Sequence, residues 1–331
     1  MRFRLHLIIA LACVMALFTF VLTGCGGNDP KPEPGESGDL PHITIGTLAT
    51  EDILPMWVAQ NEGAFEAAGL KVDIQVFQSA TELIAGVTSG QVDVAMTDPM
   101  VTASIHASGT PVRICWVTLG TTASQGRFGI MTSDPNIKTL QDLAGVEIGV
   151  GSNTILEYVM DCLMEDAGIP ADQVKKSELQ KLPVRYEAMA SGQVKAAALP
   201  GSLLALGEAS GFHTVADDSS GRNISQSVMI VREDWLAKPG AAEALDKLAD
   251  TWDASAANIN ANPEAYRDLL VSKANLPEVV AATYPISTYP SCQLPSQQMI
   301  DDVLDWMDAK GYLTQPLKYN ASDGSFTIAD Q

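Results

Sequence analysis

The chain contains one unit twice. Ser89-Gly90-Gln91-Val92-Asp93-Val94-Ala95-Met96-Thr97-Asp98-Pro99 returns as Ser191-Gly192-Gln193-Val194-Lys195-Ala196-Ala197-Ala198-Leu199-Pro200-Gly201. In each copy a helix ends on glycine, a short apolar strand follows, and the strand leaves into a loop containing proline. Helix-glycine-strand units are common in α/β chains, but the agreement here extends through the loop and predicts two similarly built lobes. The flanking pattern fits. His42 to Thr47 reads as a strand, Pro55 to Ala68 as a helix closed by Gly69, and Lys71 to Phe77 as the next strand. Ser79-Ala80-Thr81-Glu82 is a capping box that opens a helix from Thr81 to Ser89, ahead of the strand Val92 to Met96. Strand and helix alternating at this spacing predict parallel strands with helices on both faces of the sheet.

Two further strand signals, Phe128 to Thr132 and Gln226 to Val231, bracket the second copy of the unit. They are the expected crossovers between lobes, giving lobe one residues 42–127 and 229–331 and lobe two residues 128–228. Thr139 to Gly145 leads into a strand from Val146 to Val150. From Lys238 onward the periodicity is helical, over Ala241 to Asn260, Pro263 to Lys273, and Ser296 to Lys310 before Gly311. The roughly 290 residues involved exceed what a single core usually organises, which also favours two lobes.

The N-terminus has its own character. Arg2 and Arg4 precede an uncharged apolar run from Leu5 to Leu22, and Leu22-Thr23-Gly24-Cys25 closes it. That order is an export signal over residues 1–24, and the small residues before a cysteine resemble a lipobox in which Cys25 receives lipid, including palmitate, and becomes the first mature residue. A retained membrane span or an ordinary secretory signal are the alternatives. Residues 25–41, rich in Gly, Pro and Glu, offer almost nothing to bury and read as a flexible tether. The expected location is therefore the extracytoplasmic face of the cell envelope.

The full chain has 20 basic and 40 acidic residues, a net charge of −20. Loss of Arg2 and Arg4 with the signal, which has no acidic residue, leaves 18 basic residues and a charge of −22. Nucleic acid and anionic lipid are poor partners for such a surface. Of five cysteines, Cys115, Cys162 and Cys292 remain in the body. Their odd number and wide spacing argue against a zinc site or a full disulfide framework; Cys115 reads as a buried thiol, and a bond between Cys162 and Cys292 stays open.

Ligands of open parallel sheets sit beyond the carboxyl ends of the strands, where loops meet helix N-termini. Those loops supply the candidate ligand-binding residues Thr47, Asp52, Ser79, Thr81, Thr97 and Asp98 in lobe one, and Ser152, Asn153 and Thr154 in lobe two, with Trp57 as a stacking surface. Trp116, Tyr284 and Tyr289 are further aromatic candidates, Trp116 being better suited to the core. Gly149 to Thr154 superficially matches a dinucleotide fingerprint but lacks its remaining features; a capped strand-to-helix turn able to cradle an anion fits better. Glu51, Asp52, Glu82 and Asp98 make the lobe-one loops acidic, with Arg127 the only nearby cation. Helix capping accounts for part of this acidity. The histidines, His6, His42, His106 and His213, are scattered, and no hydrolase elbow occurs, so neither a metal nor a catalytic centre is expected.

Leu54 to Val72, Ser89 to Thr97, Leu140 to Val150 and the tail Asp305 to Leu313 together resemble the binding proteins for nitrate, alkanesulfonates, taurine and the thiamine pyrimidine, over about residues 42–320. The resemblance implies an α/β, type II periplasmic-binding fold, with two doubly wound lobes joined by two crossover strands. It implies a monomeric, non-enzymatic substrate-binding lipoprotein without cofactor that hands a small molecule to the permease and ATPase subunits of an ABC transporter. A thiamine-type pyrimidine or other nitrogen heterocycle is the expected ligand because the loops are acidic; an alkanesulfonate, taurine or nitrate is the alternative. A pyrimidine-synthase-like enzyme and a ligand-sensing lipoprotein are rivals from other classes.

Overall fold

The computed structural model describes residues 40–274 and 276–329. The signal, Cys25 and almost all of the tether lie outside them. Within the described residues, two five-stranded sheets are built to one plan. The first holds β1 (Ile43–Leu48), β2 (Val72–Phe77), β3 (Val94–Thr97) and β4 (Val112–Leu119). The second holds β5 (Phe128–Thr132), β6 (Glu147–Val150), β7 (Lys175–Glu178), β8 (Ala196–Pro200) and β9 (His213–Asp217). The next strand, β10 (Ser227–Arg232), returns to the first sheet.

The spatial orders are β2-β1-β3-β10-β4 and β7-β6-β8-β5-β9. β1 pairs in parallel with β2 and β3, as β6 does with β7 and β8. The strands reached by crossing between sheets, β5 and β10, hold equivalent places and run antiparallel to both neighbours. Parallel pairing thus covers only half of each sheet, because a chain arriving from the other sheet enters without a helical return on its own face. The repeated units supply β3 and β8, both wholly buried. The two crossing segments meet at Gly120, whose φ of 94° only glycine adopts easily; a Cβ there would lie 2.3 Å from the Ser225 carbonyl oxygen. Asn223 and Gln226 donate to the Gly120 carbonyl from the other segment.

Alternation along β10 shows how the first sheet is covered. Val228 and Ile230 join one apolar cluster, while Met229 and Val231 join another on the opposite face. The second cluster gathers Trp57, Trp116, Trp235 and Trp252 under the helices Leu54–Asn61 and Ala241–Ala261. The first continues through the helices Pro99–Ala107, Ile155–Asp166 and Gln297–Ala309 into the second sheet, so the sheets share an apolar seam. Burial of each large side chain there contributes about 1.5–3 kcal/mol.

Some elements differ from expectation. The helix expected from Pro55 to Ala68 breaks at Gly63, which has a φ of 70°. A hairpin absent from the sequence reading, β11 (Leu317–Asn320) with β12 (Ser325–Ile328), docks on β4 through the bond from Ile114 N–H to the Gly324 carbonyl. Cys115, Cys162 and Cys292 are free thiols. Cys162 packs in the seam cluster and Cys292 against the other cluster, which separates the pair left open by the sequence. No helix among the described residues is long and apolar enough to cross a membrane.

Candidate functional site

The loops at the carboxyl ends of β1, β3, β6 and β8 converge on a cavity of about 70 Å³ between the sheets. Asp52, Thr97 and Asp98 line it from the first sheet, and Thr154, Ile155, Gln180 and Arg185 from the second, with Phe128 at the first crossing. Of the sequence candidates, Asp52, Thr97, Asp98 and Thr154 are therefore brought together.

Asp98 occupies the centre. It is the N-cap of the helix Pro99–Ala107, one carboxylate oxygen accepting Val101 N–H at 2.8 Å while Pro99 pre-sets the first helical turn. Its other oxygen accepts the N–H of Ile155, at the start of the helix Ile155–Asp166 of the second sheet, at 3.1 Å. One carboxylate thus serves two helices across the cleft. Burial raises its pKa to about 6, against the pull of its backbone donors. Beside it, Asp52 accepts the Ser227 hydroxyl at 2.5 Å.

The turn Gly151 to Thr154 reads from sequence as a capped strand-to-helix turn able to cradle an anion. Its N–H groups are taken by the protein's own carboxylates: Glu178 on Ser152, Glu157 on Asn153 at 2.6 Å, and Asp98 on Ile155 just beyond. Asn153 adopts a φ of 58°, and its side-chain nitrogen donates to Ser104 across the cleft at 2.6 Å. Ser152 donates to Glu178, and Thr154 folds back on the Gly151 carbonyl.

Several candidates sit elsewhere. Trp57 is core, 1% exposed, because its helix packs on the helix Ala241–Ala261 and buries that face in the cluster under both. Thr47 is buried and donates to the carbonyl of Leu48. Ser79 caps the helix Ala80–Thr88 through Glu82 N–H, and Thr81 in its first turn faces solvent. Trp116 is core, while Tyr284 and Tyr289 are buried and donate to the Glu51 carboxylate and carbonyl respectively. Glu82 pairs with Lys181 of the other sheet at 2.8 Å.

The main omission of the sequence reading is Arg185. It lies inside the helix Leu182–Ala190, 1% exposed, and lines the cavity. Its guanidinium donates to the carbonyls of Leu179, Ala198 and Gln180 at 2.8, 2.9 and 3.2 Å. All three partners are neutral, and burial lowers its pKa to about 10. The expectation of Arg127 as the only nearby cation is thereby corrected. Arg127 is committed to Glu208 and Asp217. Arg185 was hidden by its place on a helix face; the signal was a charged residue at a position where Tyr186 and Met189 pack inward.

His42, His106 and His213 bond to Asp73, the Val112 carbonyl and the Lys138 carbonyl, away from the cavity. Burial pushes the Cys115 thiol up to about 12 and the Cys162 thiol to about 11. Among the described residues, no group of three or more His, Cys, Asp or Glu side chains is arranged to hold a metal ion.

The NMT1/THI5 like family model matches residues 50–266. No curated protein matches the sequence significantly. Among solved structures, the alkanesulfonate-binding protein SsuA from Xanthomonas axonopodis pv. citri bound to MOPS superposes with a TM-score of 0.69 at 17% identity, covering 84% of this chain and 96% of that one. The periplasmic nitrate-binding protein NrtA from Synechocystis PCC 6803 gives 0.67 at 13% identity, over 83% of each. The Candida albicans CA3427 gene product, described as having the generic periplasmic binding protein fold, gives 0.66 at 14% identity, over 83% of this chain and 92% of that one. The architecture is that fold, with two α/β lobes joined by two crossover strands.

Proposed function

Because this chain belongs to the NMT1/THI5 like family, we propose that it is the extracytoplasmic solute-binding component of an ABC importer and that its solute is a small zwitterion of the taurine type, an amine joined to a sulfonate. The observation that carries the reading is the pairing of opposite charges across one cavity. Among the described residues, Arg185 stands on one wall without a carboxylate bonded to it, and Asp52 and Asp98 stand on the other without a cation bonded to them. An ammonium group satisfies the acids and a sulfonate satisfies the guanidinium, whereas a single anion leaves the acids uncompensated. Nitrate fits least well, since the turn that would cradle it is capped by Glu157, Glu178 and Asp98.

Size supports a small solute. At ~10–15 Å³ per water-sized position, a 70 Å³ cavity accommodates on the order of five to seven non-hydrogen atoms. The solved structure of an alkanesulfonate-binding protein with the same fold supports the sulfonate half. A second reading, an aminopyrimidine, rests on Phe128, whose partly exposed ring borders the cavity beside the two carboxylates.

Titration calorimetry of the purified protein with taurine, ethanesulfonate, nitrate and an aminopyrimidine tests both. Taurine is expected to bind most tightly; preference for the aminopyrimidine transfers the assignment to the second reading, and preference for nitrate overturns both. The lipid anchor at Cys25 belongs to the same proposal. Cys25→Ser is expected to release the protein from the membrane fraction or leave its precursor uncleaved, and unchanged fractionation with normal processing refutes it.

A further inference from the structure

The solute cavity has a neighbour of about 80 Å³ in the same cleft. Leu48, Thr50, Leu182 and Pro200 line both, so the two spaces meet along these four residues. Leu48 and Thr50 lie at the end of β1, Leu182 opens the helix Leu182–Ala190, and Pro200 ends β8, so both sheets contribute to this annex as they do to the cavity itself. The Lys181–Glu82 pair spans the cleft beside it. Lys181 directly precedes Leu182, and Glu82 accepts the N–H of Gln78, another lining residue, at 3.1 Å.

The two spaces differ in chemistry. Asp52, Asp98 and Arg185 line the solute cavity, whereas no residue lining the annex is charged. Phe77, Pro183, Leu203 and Ala274 make its wall largely apolar. Phe77 and Leu203 are only half-buried and Pro183 is exposed, so part of this wall is wet, and an apolar group laid on it would displace that water. A solute whose charged ends fill the first cavity can reach the annex only through a substituent. Its sulfonate has no position to carry one. Its ammonium does, and a secondary ammonium still keeps two N–H groups for Asp52 and Asp98.

We propose that the solute carries on its nitrogen an apolar substituent of about six carbon atoms, the size the annex admits at ~10–15 Å³ per water-sized position, lying against Phe77 and Leu203. The inference rests on the zwitterion reading above and narrows it to N-substituted aminosulfonates.

Calorimetry of the purified protein with taurine and N-cyclohexyltaurine tests it. A methylene taken out of water is worth roughly fourfold in affinity, so N-cyclohexyltaurine should bind at least tenfold more tightly than taurine. Leu203→Trp and Ala49→Leu each add bulk to the annex at a residue that does not line the solute cavity, and each should erase that gain. Taurine binding with no gain for N-cyclohexyltaurine overturns the annex and leaves the zwitterion reading standing; binding of neither overturns both. Binding of N-cyclohexyltaurine alone supports the annex. A gain that persists in whichever of the two variants folds with the parent's thermal midpoint overturns it, and the comparison of the two ligands on the parent protein decides even where neither variant folds.

Discussion

The Asp98 carboxylate accepts the backbone N–H of Ile155 at 3.1 Å, so an acid at the end of one sheet's strand caps a helix that belongs to the other. Helix N-termini favour negative charge, and here the charge comes from within the protein. In the proposed function, ligand capture and lobe contact therefore share a residue.

Asp98→Asn should reveal that double duty. Both carboxylate oxygens accept backbone N–H groups, so an amide must turn a donor toward Val101 or Ile155. Beyond the few tenths of a kcal/mol expected for an altered cap, the facing N–H loses its acceptor, a change of about 1–3 kcal/mol. Taurine affinity measured by calorimetry is expected to fall at least tenfold, and ethanesulfonate affinity to fall less. Equal losses for the two ligands would remove the ammonium from Asp98.

Arg185→Gln addresses the other half of the zwitterion. The variant keeps a donor but loses the charge, and a hydrogen bond to a charged group is worth about 1.5–3 kcal/mol. Sulfonate-bearing ligands should therefore weaken at least tenfold, while a simple alkylamine is unaffected in the solute cavity. Arg185→Lys should recover little, because an ammonium cannot hold the Leu179, Ala198 and Gln180 carbonyls with one planar group.

The contrast between Asp98 and Arg185 shows what was legible in the sequence. Asp98 stands between an apolar strand and a proline, a local pattern that fixes both its loop and its capping role. Arg185 sits mid-helix, and only the packing of Leu182–Ala190 against β8 and β6 turns it toward the cavity. The strand-helix order and the repeated unit were readable because they depend on near neighbours; the antiparallel entry of β5 and β10 was not, since direction in a sheet is set by strands far away in the chain. Trp57 lies in the core, away from the cavity, for the same reason. Its place in a helix was apparent, but the helix face it occupies is decided by the packing of that helix into its apolar cluster.

Lys181→Glu tests how the sheets are held together. The Lys181–Glu82 pair spans the cleft at 2.8 Å, and both side chains are largely in solvent, so its loss should scarcely move the thermal midpoint. Like charges in its place should favour separation of the two loops. Solution scattering is expected to show a larger radius of gyration for the unliganded variant at low salt, approaching the parent value at high salt. Identical scattering profiles at low salt would mean that the shared apolar seam alone fixes the arrangement.

Between about pH 5 and 8, above the range in which lowered carboxylates such as Asp134, Asp142 and Asp217 titrate, stability should fall as pH rises. Burial raises Asp98 from 3.8 to about 6, and burial with the neighbouring Asp52 charge raises Glu51 from 4.5 to about 7, despite the hydrogen bond from Tyr284. The folded state therefore holds these two protons more tightly than the unfolded chain does. Their contribution is fully present below the unfolded values and is lost as pH climbs through the folded ones, a window from about pH 4 to 7. Each raised unit corresponds to about 1.4 kcal/mol, so the two groups together supply several kcal/mol at the acidic end. Denaturant midpoints of the parent protein should fall between pH 5 and pH 8. Glu51→Gln should flatten the upper part of that profile, because it removes the charge facing Asp52, Tyr284 and Tyr289 while leaving Asp98 to titrate; an unchanged profile in this variant would assign the pH dependence to other groups.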